Sequence, residues 1–184
     1  GEAPALNAFP PSTVRVISEL VERSGTGVEG TGDITAIYSV LVAGSDMEEP
    51  VADMIRGILD GHIILSRNIA ERGRYPAIDV LRSVSRALPN AASAAENDML
   101  KEFRRLLALH SEVEPMVRAN LFEFGHDAQA DRAIKLFPVL DAFIGTYNTA
   151  HVSDAFEAMR LALSGGVAPT IRVEIVKKSQ ECMA

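Results

Sequence analysis

Along the first ninety residues, the apolar positions switch between helical spacing and strand-like runs. Residues 11–23 and 50–59 place apolar side chains three or four positions apart, as on one face of a helix. Residues 34–43 are almost continuously apolar and rich in β-branched side chains, which is typical of a strand covered on both faces. A shorter apolar run follows at residues 62–66. The order helix, strand, helix, strand predicts an α/β unit with a parallel sheet.

After residue 89 the pattern is mainly helical. Ser93-Ala-Ala-Glu96 and Ser111-Glu-Val-Glu114 both match the capping box, in which serine and glutamate satisfy backbone N–H groups at a helix start. We therefore expect one helix to begin at each serine. A third apolar pattern is interrupted by Pro138, which should break or kink its helix. A last helix is predicted over residues 153–163.

The change of pattern predicts a domain boundary near Pro89. Residues 1–89 form the α/β part, residues 90–165 the helical part and residues 166–184 a tail. Within the tail, residues 170–176 alternate apolar and polar side chains, which fits either a weak strand or a disordered end.

Composition narrows the class of protein. The chain has 184 residues, of which 47% are hydrophobic and 23% charged, as in a globular domain. The net charge of −7 argues against nucleic acid or an anionic membrane as the main partner. A single cysteine fits a reducing compartment such as the cytoplasm, and no apolar run approaches the roughly 18 residues of a membrane span.

Several kinds of catalytic or metal site find no support in the residues. The glycine-rich stretch at residues 24–32 resembles a phosphate loop, but the chain contains no Gly-Lys-Ser/Thr to reach phosphates and bind magnesium. We expect an ordinary flexible loop there. The four histidines show no metal-ligand spacing, and no metal site is predicted.

The strongest candidate chemistry lies between Tyr75 and Arg86. Because Pro76 fixes its own φ and favours extended backbone before it, Tyr75 should project from a rigid turn as a stacking surface for a flat base. Arg86 offers a planar fork that matches phosphate oxygens. The alternative for Tyr75 is a core or loop tyrosine. The alternative for the phosphate contact is the nearby Arg82, which competes with Arg86 for that role. Asp79 and Ser83 fit structural roles in the turn.

The stretch Tyr75-Pro-Ala-Ile-Asp-Val-Leu-Arg-Ser-Val-Ser-Arg86 resembles the signature of the alpha/beta family of rotary ATPases, which includes ATP synthase heads and the flagellar and type III export ATPases. The resemblance covers about residues 1–162. It continues in the segments Phe9-Pro-Pro-Ser12, Gly32-Asp-Ile-Thr35, Asp60-Gly-His-Ile-Ile-Leu-Ser-Arg67 and Ala70-Glu-Arg-Gly-Arg-Tyr-Pro76. Asp131-Arg-Ala-Ile134 and Phe137-Pro138, together with the lack of an acidic stalk-facing run, favour the export branch.

The resemblance implies a fold and a function. The fold would be α/β, the C-terminal part of a RecA-like parallel-sheet nucleotide-binding domain followed by an all-α helical domain. Tyr75 would pack against adenine in its own subunit, Tyr147 would form the second side of that pocket, and Arg86 would reach the neighbouring subunit's γ-phosphate. The phosphate loop and Walker B segment of the family would lie upstream of Gly1, so this chain alone should not hydrolyse ATP.

The same resemblance implies partners and a location. The full-length parent would use ATP and Mg²⁺ as a cytoplasmic homohexamer, peripheral to the export apparatus at the inner membrane. A central stalk, a regulator and export chaperones would be its partners, with no nucleic acid and no transmembrane segment. An injectisome ATPase or an ATP synthase subunit are alternatives within the family. Outside the family, the alternative is a stand-alone interaction module without chemistry.

Overall fold

A computed structural model of the chain describes residues 12–42, 50–146 and 151–166. Tyr147 and the strand pattern predicted at residues 170–176 lie outside these ranges.

Three helices and two strands make up the first half of the described chain, and helices alone make up the second. The elements, in chain order, are α1 Ser12–Glu22, α2 Pro50–Ile58, β1 Gly61–Leu65, α3 Arg67–Glu71, β2 Ile78–Ser85, α4 Ala94–Arg118, α5 Ala128–Ile144 and α6 Val152–Leu163. None of the described helices is both long and apolar enough to cross a membrane.

The first half confirms three of the four predicted elements. Helices α1 and α2 and strand β1 lie where the apolar pattern places them. The strand predicted over residues 34–43 is wrong, because residues 35–42 have no regular secondary structure and Ile37 is 94% exposed. A strand covered on both faces needs paired neighbours, and the described residues offer this segment only a bridge between Gly25 and Ile34.

Strands β1 and β2 form an antiparallel pair. Gly61 faces Ser85 at one end and Leu65 faces Ile78 at the other. The parallel pairing expected between residues 34–43 and 62–66 does not occur among the described residues, since the first segment forms no strand.

A β-bulge in this pair gives Asp79 and Ser83 the structural roles expected of them. The Ser83 hydroxyl donates to the Asp79 carbonyl at 2.6 Å and accepts from the Ile64 N–H at 3.0 Å. The Asp79 carboxylate accepts from the Arg82 N–H at 3.2 Å. These bonds form inside β2 rather than in a separate turn. They join Asp79, which pairs with Ile64, to Arg82 and Ser83, which have no Cα partner on β1 because of the register shift.

Helix α4 begins at the first predicted capping box. The Ser93 Oγ accepts from the Glu96 N–H at 3.3 Å, and the Glu96 carboxylate accepts from the Ser93 N–H at 2.7 Å. The second predicted start, at Ser111, is wrong because α4 runs through it without a break. Glu114, which would have closed that box, instead pairs with arginines from α3's end and from α4 itself.

Helix α5 likewise continues where a break was predicted. Asp127 caps its start by accepting from the N–H groups of Gln129 and Ala130. Pro138 lies inside the helix without breaking it. A proline removes one helical hydrogen bond, and the buried Leu136 and Leu140 on either side pack the helix into the core.

The hydrophobic core lies in the helical part and extends to β2. Its buried members are Phe103, Leu106, Leu107, Ala133, Leu136, Leu140, Met159 and Ala162. Val80 and Leu81 of β2 pack against this cluster. The first half of α4 contributes Phe103, Leu106 and Leu107 to this core, whereas Met116 and Val117 near the end of the helix are exposed.

Arg104 of α4 fastens β2 to the helical part. Its Nη1 donates to the carbonyls of Val80 at 2.7 Å and Ser83 at 3.2 Å, and its Nη2 donates to the carbonyl of Leu81 at 2.8 Å. The planar guanidinium presents its donors in a fixed fork, so three carbonyls are held by one rigid group.

We predict that Arg104→Met lowers the free energy of unfolding of the chain by about 1–2 kcal/mol, because charged hydrogen bonds are lost while the apolar stem is kept. Chemical denaturation monitored by circular dichroism measures the change. Lys101→Met is the matched control, since Lys101 makes only a surface ion pair with Asp98 and should change stability by less than about 0.5 kcal/mol. Equal effects of the two substitutions would contradict a fastening role for Arg104.

Candidate functional site

Strand β2 separates the two residues singled out by the sequence. Tyr75 lies just before the strand and Arg86 immediately after it. The two ends of β2 face Leu65 and Gly61, which lie four residues apart on β1, so at about 3.3 Å per residue these ends are on the order of 13 Å apart. Tyr75 and Arg86 therefore do not converge on one pocket within this chain.

Tyr75 projects from the turn that leads into β2. Its peptide bond to Pro76 is cis, and the residue is 60% exposed. The turn approaches the end of α5 closely, because a Cβ built on Gly145 would lie 3.6 Å from the Tyr75 carbonyl oxygen. A flat ligand can reach the exposed tyrosine ring from solvent.

The side chain of Arg74 bonds to the backbone of this turn. Its Nη1 donates to the Pro76 carbonyl at 3.2 Å, and its Nη2 donates to the Ile78 carbonyl at 2.8 Å. Its Nε lies 2.8 Å from the Asp141 carboxylate on α5, and only 12% of its side chain is exposed. Neither Arg74 nor Asp141 stands out as a site residue in the sequence, because no spacing signal pairs residues so far apart along the chain.

Arg86 is exposed and rests on the end of α2. Its guanidinium donates to the carbonyls of Gly57 at 3.0 Å and Arg56 at 3.4 Å, and its backbone N–H donates to the Asp60 carbonyl at 2.7 Å. The last carbonyls of a helix carry partial negative charge and attract a cation. The backbone of Arg86 is thus fixed, while its guanidinium occupies an exposed position from which it can change partners.

The third predicted residue, Tyr147, lies outside the described residues. Gly145, two positions earlier in the sequence, is the helix-end residue that lies beside the Tyr75 carbonyl.

The described residues show neither a metal centre nor a phosphate cradle beside these side chains. No group of three or more His, Cys, Asp or Glu side chains is arranged to hold a metal ion in residues 12–42, 50–146 and 151–166. A cleft of about 1460 Å³ lies between residues 33–42, α2 and β1, and neither Tyr75 nor Arg86 lines it. Its walls are mainly apolar, which does not suit phosphates.

A half-buried histidine, His110, lies on α4. His110 stacks on Phe137 with ring centroids 3.5 Å apart and nearly parallel planes. Burial lowers the pKa of His110 because it disfavours the charged imidazolium. The charged groups whose fields act on the ring are Glu114 and Asp141, which raise its pKa, and Arg72 and Arg118, which lower it.

Comparison with known families defines the class of protein. Residues 1–85 match the nucleotide-binding domain of the ATP synthase alpha/beta family, and residues 92–161 match the C-terminal domain of the type III secretion ATPase EscN. The chain belongs to the ATP synthase alpha/beta family, in the branch of the flagellar and type III secretion ATPases.

Two curated relatives represent the two kinds of export system. The chain is 41% identical over 163 residues to a flagellum-specific ATP synthase of Salmonella typhimurium, covering 88% of this chain and 36% of that protein. It is 44% identical over 144 residues to the SPI-2 type 3 secretion system ATPase of the same organism, covering 78% of this chain and 33% of that protein. The chain thus spans about a third of the length of these relatives.

Solved structures confirm the fold. The assembled ATPase EscN of enteropathogenic E. coli matches with a TM-score of 0.80 and 33% identity, over 89% of this chain and 40% of that one. The same ATPase has been solved in complex with its central stalk EscO, and that structure matches with a TM-score of 0.76 over 89% of this chain and 38% of that one. The predicted fold class, an α/β nucleotide-binding part followed by a helical C-terminal domain, is confirmed.

The burial of His110 predicts a pH-dependent stability. Because its pKa is lower in the folded chain than in the unfolded one, the unfolded chain binds more protons as pH falls below about 6.5. The contribution of neutral His110 to the free energy of unfolding is therefore complete above about pH 6.5 and is lost as the pH falls. We expect the melting temperature of the chain to drop less between about pH 7.5 and 5.5 in His110→Gln than in the unsubstituted chain.

The control for this measurement is His126→Gln. His126 is exposed and pairs only with Glu123 on the surface, so this variant should keep the pH dependence of the unsubstituted chain. An unchanged pH dependence in His110→Gln would show that another group is responsible.

Proposed function

We propose that this chain is the C-terminal portion of a flagellar-type protein-export ATPase, which couples ATP hydrolysis at the interfaces of a homohexamer to protein secretion. The family matches and the two export-system relatives support the class. The observation that carries the assignment of residues is the position of Tyr75 and Arg86 at opposite ends of β2.

In this proposal Tyr75 stacks on the adenine of ATP bound to its own subunit. The ring is exposed on a turn whose backbone is held by Arg74, and a fixed aromatic face gains about 1–3 kcal/mol by stacking on a base. Tyr147 is proposed as the second side of the same pocket.

Arg86 acts on the neighbouring subunit's γ-phosphate. Arg86 and Tyr75 lie at opposite ends of β2, and in this proposal the two residues serve two different nucleotide sites of the assembly. To act there, the guanidinium exchanges the Gly57 and Arg56 carbonyls for phosphate oxygens. Both sets of contacts are exposed, so the exchange does not require opening a buried site.

The centre of each ATP site is proposed to lie in the rest of the parent protein. The chain has no Gly-Lys-Ser/Thr, and its described residues form no carboxylate cluster for Mg²⁺. In this proposal the chain contributes the residues that bind the base and stabilise charge, while the phosphate loop and the magnesium ligands would come from other segments. We therefore propose that the chain alone does not hydrolyse ATP.

The helical part is proposed to face a central stalk, together with regulator and export-chaperone proteins. EscN has been solved with its stalk EscO, and here the end of α4 and the following loop expose Met116, Val117, Leu121 and Phe124. An apolar surface of this kind suits a protein partner. The parent would work in the cytoplasm at the inner-membrane export apparatus. The identities to the flagellar and SPI-2 relatives do not separate the flagellar branch from the injectisome branch.

Arg86→Ala in the complete ATPase tests the proposal. An arginine finger contributes about 10³-fold or more to turnover, so the rate of phosphate release should fall by at least about that factor. The affinity for a fluorescent ATP analogue should stay within about threefold, because the arginine acts on charge that develops in the transition state.

Arg82→Ala is the matched control, since Arg82 is also exposed and lies on β2, four residues before Arg86. It should retain near-normal turnover. Unchanged turnover in Arg86→Ala, or an equal loss in both variants, would reject the role of Arg86.

A further inference from the structure

Arg74 and Asp141 form the one contact that joins the Tyr75 turn to α5 by charge among the described ion pairs. Both remaining guanidinium nitrogens of Arg74 donate to backbone carbonyls of the turn, at Pro76 and Ile78. The guanidinium therefore ties three points together: the backbone after Tyr75, the first residue of β2 and a carboxylate on the helical part.

The geometry fixes the backbone on both sides of Tyr75. Arg74 precedes the tyrosine in the chain, and its side chain bonds the carbonyls that follow it. The arginine side chain is almost fully buried, so water and salt screen this ion pair less than a surface pair. A lysine could keep the charge but not the fork, because an ammonium lacks the planar set of donors.

We infer that Arg74 is a positioning residue for Tyr75 and that Asp141 couples this position to α5. The inference rests on the proposed function, in which Tyr75 stacks on the nucleobase. The contact between Arg74 and Asp141 then has a regulatory consequence. A displacement of α5 relative to β2 would move Asp141, release the turn and weaken base binding. By reciprocity, binding of the base would favour the docked position of α5.

The helical part makes a second charged contact with the same region that serves as an internal control. Arg72 pairs with Glu114 of α4 at 3.1 Å. It joins the same two parts of the chain as Arg74 does, but it bonds no carbonyl of residues 75–78 in the described structure. A substitution at Arg72 therefore weakens the contact between the two parts of the chain without releasing the turn that carries Tyr75.

The experiment compares two ligands in the complete ATPase. ATP carries the base, and inorganic tripolyphosphate carries phosphates alone. Arg74→Met should raise the Kd of ATP about fivefold or more, the lower range expected for loss of a stacked base. The Kd of tripolyphosphate should not change. Arg72→Met should leave both constants near their original values.

A double substitution tests whether Arg74 acts through the tyrosine. Tyr75→Ala should weaken ATP binding by itself, and adding Arg74→Met to Tyr75→Ala should cause no further loss, because the ring to be positioned is gone. Asp141→Asn should reproduce part of the Arg74→Met effect, since the amide accepts a hydrogen bond without the charge. Arg74→Lys, which keeps the charge, gives the same information if Arg74→Met does not fold.

Each outcome decides one way or the other. If Tyr75→Ala leaves the Kd of ATP unchanged, the stacking role fails and the positioning role fails with it. If Tyr75→Ala weakens ATP but Arg74→Met does not, the positioning role alone is overturned. Additive losses in the double variant, or equal losses for ATP and tripolyphosphate, would also overturn it, because they indicate a general structural effect.

Discussion

Strand β2, which separates Tyr75 from Arg86, is tied to the helical part by one guanidinium. Strand β2 has a single described partner, β1, and a two-stranded sheet is marginal on its own. Arg104 supplies what the sheet lacks, because its fork binds three successive regions of the β2 backbone to α4. With Val80 and Leu81 packed on the helical core, β2 belongs to the helical part as much as to the α/β part.

In the proposed function, this attachment lets the two ends of one strand serve two nucleotide sites. Its first end is tied to α5 through Arg74 and Asp141, and its last residues lead to Arg86 on the end of α2. Because β2 keeps its two ends apart, the proposed function puts base binding and charge stabilisation on opposite sides of the subunit. In the proposed hexamer, those sides face different neighbours.

Local signals in the sequence predicted the structure well, and signals that depend on context did not. The capping box at Ser93 and its apolar helix face were predictable because all the groups involved lie within a few residues. The same box at Ser111 starts no helix, since α4 runs through it and Glu114 pairs with two arginines. Residues 34–43 resemble a buried strand only if neighbours cover them. Arg74 and Arg104 left no signal, because their partners lie far away in sequence.

The most direct test of the account mixes two defective forms of the complete ATPase, Tyr75→Ala and Arg86→Ala. If Tyr75 binds base in its own subunit and Arg86 acts on the neighbour's ATP, an Arg86→Ala subunit beside a Tyr75→Ala subunit forms an intact site. The account predicts that mixed hexamers, assayed below the KM for ATP, turn over faster than either variant alone. No gain over the separate variants, with exchange of subunits confirmed, would contradict it.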